Sequence, residues 1–545
     1  MNQIKAITAA ALLAALTAFF SAAAFAAGDG TPNSNYSSGN PFAKKFEQAL
    51  TKEEILKLCR DENGAIMSQL FNKEEKAELC KKAAVDARTE LGHKLPKGLV
   101  IPFVLILLSI AVIPLIKHKW WESHLNKAVV SAFCALPVLA YLVHSGHLGQ
   151  EILSETLHEY YSFIVLLLAL YVISGGVYIE GDLRATPAVN AVFLSIGAVI
   201  ASLIGTTGAA MILVRPLLKT NSERKFKKHI FIFLIFIVAN IGGSLTPIGD
   251  PPLFLGYLYG VPFSWTLKLW PMWLTANAIL LAVFYVWDTY AYSKETKQAK
   301  NDDNRRISPL RIEGKTNLAL LALVIASVIL LRKHELGMPG HSYELDLSWA
   351  QQPAMLLLAV ISLALDGHRK SSHSSKGNHH YKTAREKNSF NFGAIIEVAV
   401  LFAGIFIAMI PAVCLLKANG ASMGIAKPWQ FFWLTGILSS FLDNAPTYAT
   451  YFALAQSVTA ALPTGAETAV VHVIGQPIAE NLLLAISLGA VFMGANTYIG
   501  NAPNFMIKAI AEEAKVEMPS FFGYMLYSIC ILIPVFLLIT ALYLV

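Results

Sequence analysis

Charge is scarce in this chain of 545 residues: Asp, Glu, Lys and Arg together make up 14%, against 55% apolar residues. So few charges over such a length exclude a single soluble domain and point to an integral membrane protein. Lys and Arg exceed Asp and Glu to give a net charge of +7, yet they never gather into a patch interleaved with aromatics. A nucleic-acid surface is therefore excluded. Cysteine is scarce too, with five in all. Cys134, Cys414 and Cys530 lie in apolar runs and read as core filler. Cys59 and Cys80 lie in a polar segment, where either a disulfide in an oxidising compartment or two free thiols would fit.

What is present begins with "MNQIKAITAAALLAALTAFFSAAAFAAGDG", in which Lys5, an Ala/Leu-rich core and the Ala24-Phe25-Ala26 site have the layout of a cleavable secretory signal, residues 1–26. An uncleaved first span is the alternative. Residues 27–97 are polar and helix-prone, and repeat "TKEEILKLC" at 51–59 as "NKEEKAELC" at 72–80. Thr51 and Asn72 can cap helices there, each with a Glu placed to close a capping box.

A span needs about 20 apolar residues, which places segments at 98–116, 128–146, 160–180, 188–218, 229–259, 268–288, 316–332, 350–366, 393–415, 429–456, 481–512 and 520–544. If residues 27–97 lie outside, the loops on both sides of 188–218 lie inside; the second, "LKTNSERKFKKH", is strongly basic, as cytoplasmic loops tend to be. Its 31 residues at about 1.5 Å each are too few for two crossings. A re-entrant hairpin with its tip at 205–209, "GTTGA", is expected instead, and a second at 429–456 with the tip "LDNAPT". On this topology 25 Lys and Arg lie inside, 5 outside and 13 in the signal and exported segment. The loop at 367–392 reads as a flexible hydrophilic linker; His368, His373, His379 and His380 in it are too irregularly spaced to favour a metal site.

Within the membrane the sequence breaks its own helices twice. "GSLTPIGDPPLFL", 243–255, and "GANTYIGNAPNFM", 494–506, agree at six of thirteen positions, with Asp250 opposite Asn501. Each copy follows a hairpin and precedes a last plain span. The chain divides into repeats at 98–288 and 316–545, joined by a cytoplasmic linker at 289–315. One begins outside and the other inside, the inverted organisation of many secondary transporters. The fold class expected is all-α, with five spans, one of them broken, and one re-entrant hairpin in each repeat.

A helix interrupted in lipid leaves carbonyls that suit a cation and N–H groups that suit an anion. Thr246, Thr497 and Asn496 add neutral oxygens. Asp250 and Asp443 read either as N-caps or as ion-binding carboxylates, and a charge at that depth favours the second reading. Thr206 and Thr207 occupy one tip, Asp443 and Asn444 the other. Glu397 and Arg215 are further candidates, each with an ordinary interfacial reading.

These motifs make the chain resemble the ion transporter superfamily, which includes sodium/proton antiporters, arsenite efflux proteins, citrate carriers and dicarboxylate/sodium symporters. The resemblance covers residues 98–545 and rests on "GGSLTPIGDPP", "SSFLDNAPTY" and "GANTYIGNAPNF". It implies tip roles for Thr206, Thr207, Asp443, Asn444 and Thr447, and broken-helix roles for Thr246, Asp250, Asn496, Thr497 and Asn501. It also implies a homodimer held by a scaffold region. The tips depart from the Ser-Asn-Thr of dicarboxylate members and are closer to the antiporter and arsenite branches. The function expected is sodium/proton antiport, with sodium at Asp250 and Asp443 and no cofactor. A cation-coupled carrier of citrate or a related carboxylate is the alternative, and an intramembrane acid protease or a channel fits the paired halves less well. The expected location is a bacterial inner membrane, with residues 27–97 and the C-terminus in the periplasm.

Overall fold

The computed structural model describes residues 88–331, 333–338, 341–375, 382–462, 469–473 and 477–545. The signal, Cys59, Cys80 and both capping-box candidates lie outside the described residues, as do the side chains of His368, His373, His379 and His380. Nine helices among the described residues are long and apolar enough to cross a membrane, and the only strands there form two-stranded pairs. The protein is an all-α membrane protein.

Element order is the same in two stretches of the chain. The first runs through α1 (Ile101–Ile116), α2 (His124–His144) and α3 (His147–Gly175). A hairpin follows, made of α4 (Pro187–Ile204) and α5 (Thr206–Thr220). The interrupted helix α6 (Lys228–Ile237) and α7 (Pro251–Leu258) comes next, and α8 (Trp270–Ser293) closes the stretch. The second runs through α10 (Lys315–Leu330), α11 (Gln351–Ser375), and α12 with α13 (Gly393–Ala408, Ile410–Asn419). Its hairpin is α14 and α15 (Pro428–Phe441, Asn444–Ala460). Its interrupted helix is α16 and α17 (Glu480–Met493, Ala502–Glu513), and α18 (Phe521–Tyr543) ends it.

Burial explains the differing composition of these helices. Every residue of "HIFIFLIFI" on α6, from His229 to Ile237, is buried. A helix apolar on all sides needs a protein environment on all sides, and α6 has one. Helix α1 is as apolar but leaves Leu105, Leu108 and Val112 exposed, the pattern of a lipid-facing span. The two stretches interlock reciprocally: α7 packs on α15, and α5 packs on α17. Each second half-helix thus rests on the second hairpin limb of the other stretch.

Three local expectations differ from what is observed. The span placed at 160–180 is a helix that begins at His147, because Arg88 pairs with Glu155 and Glu159 and supports turns that are too polar for lipid. The segment read as a linker at 289–315 carries α9 (Lys297–Arg305) and a strand, Ser308–Glu313, paired antiparallel with Tyr178–Asp182. The described parts of 367–392 are held firmly. Helix α11 continues to Ser375. Arg385 is buried on Asp366, Ser362 and the Val172 carbonyl, and Asn388 donates to Gly175 O and Val177 O.

Candidate functional site

Both hairpins turn beside the helix breaks. In the first, Gly205 takes φ +83°, a left-handed conformation open to glycine at little cost, and Thr206 N donates to Gly249 O at 2.8 Å. Ser202 Oγ donates to Gly242 O at 2.5 Å and accepts from Leu245 N at 3.1 Å. Thr246 Oγ1 donates to Ser202 O. In the second, Ser439 Oγ donates to Ala490 O at 2.6 Å and Ser440 Oγ to Met493 O at 3.1 Å. Thr497 Oγ1 donates to Ser440 O, and Asn496 Nδ2 to Ser440 Oγ at 2.9 Å. The hydroxyls therefore take up carbonyls that the interrupted helices leave unpaired.

Between the two tips lies Asp250. Its carboxylate accepts from Thr206 Oγ1 at 2.8 Å, Asn444 Nδ2 at 2.6 Å and Asn501 Nδ2 at 3.1 Å. All four residues are at most 2% exposed. They stand at the N-terminal ends of α7, α5, α15 and α17, so four helix N-termini converge on one carboxylate. Their partial positive charges and three neutral donors favour its charged form. Among the described residues no Lys, Arg or His forms an ion pair with it. The carboxylate is thus met by dipoles alone among the described residues, an arrangement that leaves room for a proton or a metal cation to complete it.

The two acidic residues differ in what they do for their helices. Asp250 precedes α7, yet its side chain makes no cap bond. Asp443 does cap α15, accepting from Ala445 N at 3.2 Å, and Thr447 Oγ1 donates to Asp443 O at 2.9 Å. Of the residues singled out in the sequence, Thr206, Asp250, Asn444 and Asn501 come together. Thr246, Asn496 and Thr497 fasten hairpins to breaks one layer away, and Thr207 is half-buried beside the tip. Glu397 pairs with Lys127 at 2.7 Å and is partly exposed. Arg215 donates to Asn388 O at 3.1 Å. Both are away from the site.

Two asparagines that sequence reasoning passed over complete it. Asn240 Nδ2 donates to Asn504 Oδ1 at 2.7 Å, and Asn501 Nδ2 approaches Asn240 Oδ1 at 3.3 Å. Asn504 Nδ2 in turn donates to Gly494 O at 2.8 Å and Thr497 O at 2.9 Å. The two breaks are thereby joined, and the Asn501 amide is held with its NH2 toward Asp250. Their signal was a polar side chain within an apolar run: Asn504 belongs to the repeated stretch, and Asn240 directly precedes "IGGS". Asn444 Oδ1 and Asn496 Oδ1 are buried and have no hydrogen-bond partner among the described residues. Hard oxygens of this kind suit sodium. Among the described residues no three His, Cys, Asp or Glu side chains gather as ligands for a transition metal.

The family model described as "Putative citrate transport" matches residues 92–544, which include both hairpins, both breaks and all the residues around Asp250. A comparison with curated proteins returns no match.

Proposed function

The chain belongs to this citrate transport family, and we propose that it is a secondary active transporter; from the geometry of the site we infer that it works as a sodium/proton antiporter, with Asp250 as the carboxylate that takes either ion. The observation that carries this reading is the position of Asp250: fully buried, met by three neutral donors and by no cation among the described residues. A proton or a sodium ion neutralises it, and occupation by one excludes the other. Coupling follows from that competition. In this reading the neutral oxygen of Asn444, whose amide reaches Asp250, is a further sodium ligand, and Asp443, which caps α15, is the second acidic group of the pair.

The chemistry requires only one carboxylate, but alternating access requires two bodies that move past each other. The matching order of elements supports inverted repeats, with hairpins and interrupted helices as the unit that moves. We place residues 27–97 and the C-terminus in the periplasm of a bacterial inner membrane, with the protein as a homodimer. The reading excludes an enzyme, since exchange makes and breaks no covalent bond.

A second reading has its own support. The family description names citrate, and four helix N-termini around one site suit an anion. In that case the Asp250 oxygens hold the coupling cation and the asparagine amides hold a carboxylate. Against it, Asp250 already occupies the focus of those N-termini and repels a second carboxylate. Flux in proteoliposomes, with sodium, protons and citrate varied independently, separates the two. Sodium-dependent dissipation of a pH gradient without citrate supports antiport; sodium- or proton-dependent citrate uptake without such dissipation replaces it by the carrier.

A further inference from the structure

Asp250 is closed off from solvent, yet a cavity of about 980 Å³ reaches toward it along α7 and α15. Every fourth residue of α15 traces the connection. Asn444 donates to Asp250, Tyr448 follows, and Phe452 and Gln456 line the cavity. Residues four apart share one ridge of a helix, so these four stand in a row from the carboxylate to the open space. Ala449 also lines the cavity and lies five residues beyond Asn444, about 7.5 Å along the helix. At the other end the lining includes Trp349, largely exposed, which puts the mouth at the molecular surface. The cavity thus runs from the surface to a point close to the site without including it.

Tyr448 fills what lies between. It is 1% exposed and stands behind the cavity's lining. Its phenol crosses from α15 to α7, where a Cβ on Gly256 would stand 2.4 Å from the phenol oxygen and 3.1 Å from Cζ. Any side chain on α7 at that point would displace the ring. The Tyr448 ring centroid is 5.8 Å from that of Phe452, which is 5.1 Å from that of Tyr259. Phe452 and Tyr259 belong to the cavity wall, so three rings run in contact from the wall to one turn from Asn444. An aromatic ring excludes an ion by its bulk and its apolar body, and a change of rotamer moves it without breaking a backbone hydrogen bond.

We propose that the cavity is the approach by which ions reach Asp250 from one side of the membrane, and that Tyr448 is the gate that closes it. The proposal rests on Asp250 as the exchange site. In this structure the gate is shut: the ring lies against Gly256, with the cavity on one side of it and Asn444 on the other. An ion passes when the ring turns off Gly256 or when α7 and α15 part.

Thiol labelling of the full-length protein in proteoliposomes tests this, with an impermeant cationic methanethiosulfonate added outside and the modified residue identified by peptide mass. Ala453→Cys, on the cavity side of Tyr448, is expected to label quickly and to count the molecules that present the cavity. Asn444→Cys, on the far side, is expected to label slowly. Adding Tyr448→Ala should speed labelling of Asn444→Cys by about tenfold or more, since access then no longer waits on a local opening. Tyr448→Phe keeps the ring and should leave it slow. Tyr448→Leu fills more of the space, should fall between, and takes the place of Tyr448→Ala if that protein fails to assemble. Slow labelling of Ala453→Cys, or equal labelling of Asn444→Cys with and without Tyr448→Ala or Tyr448→Leu, overturns the proposal. Labelling requires no turnover: the expected pattern without sodium/proton exchange would remove the role of Asp250 and keep the barrier, and exchange without the pattern would do the reverse.

Discussion

Replacing Gly500 by alanine tests how closely hairpin and break must fit. An added Cβ stands 2.5 Å from Gly494 O and 2.8 Å from Ser439 O, where ordinary contact begins at 3.4 Å. The backbone must part by about 0.9 Å, the difference between 3.4 and 2.5 Å, and neither neighbour is a flexible side chain that can swing aside. Overpacking of this kind costs about 1–3 kcal/mol, which a large buried core can absorb. The same shift moves Asn501, the next residue, relative to Asp250. A displacement near 1 Å at a functional centre lowers a rate by about 100-fold. Gly249 holds the matching place in the first break, where a Cβ overlaps Gly243 O and lies 3.0 Å from Ser202 Cα. Gly98 has nothing within 4 Å and serves as the control. The assay is sodium-driven collapse of a pH gradient in proteoliposomes, read beside thermal stability in detergent. Gly249→Ala and Gly500→Ala are expected to assemble and to transport about 100-fold more slowly, with Gly98→Ala unchanged. Transport by Gly500→Ala at the wild-type rate would refute the reasoning.

Asn444→Ala removes the 2.6 Å donor to Asp250 and is expected to lower transport efficiency by about 10-fold or more, the worth of a hydrogen bond to a charged group; an unchanged rate at low sodium counts against the site. Asp443→Asn keeps a good helix cap and is expected to retain transport within a few-fold, whereas Asp250→Asn loses it; equal loss in both would give Asp443 a direct role. Outside the membrane, burial and the nearby Glu223 and Asp303 carboxylates raise Asp182 from 3.8 to about 6. A raised acid favours folding at low pH and loses that contribution as pH rises through its folded value. Asp182→Asn should therefore gain thermal stability over the wild type between about pH 4 and 6 and hold a constant advantage above pH 7; a difference that does not vary with pH would exclude this cause.

The hairpins were legible because chain length and charge leave few choices: 31 residues between two loops read as lying on the same side cannot cross twice, and the observed turn at Gly205 lies at the expected tip. The breaks were legible from Gly and Pro in apolar runs. The division of labour between Asp250 and Asp443 was not, since each precedes a helix start and local sequence offers each the same cap. What decides is the tertiary approach of Thr206, Asn444 and Asn501 from three other elements. The pairing of Arg88 with Glu155 was hidden for the same reason: one lies in the polar segment 27–97 and the other before the apolar window at 160, and, 67 residues apart, they pair only once α3 has extended past that window. Arg385 within an apparent linker likewise becomes a core residue only where Asp366 meets it.

The claim that Asp250 is where proton and sodium compete is tested most directly by proton release from the purified protein in weak buffer when sodium is added. The wild type should release protons with saturating sodium dependence, and Asp250→Asn should release none while remaining folded. Undiminished release from Asp250→Asn, or none from the wild type at any pH where it transports, would contradict it.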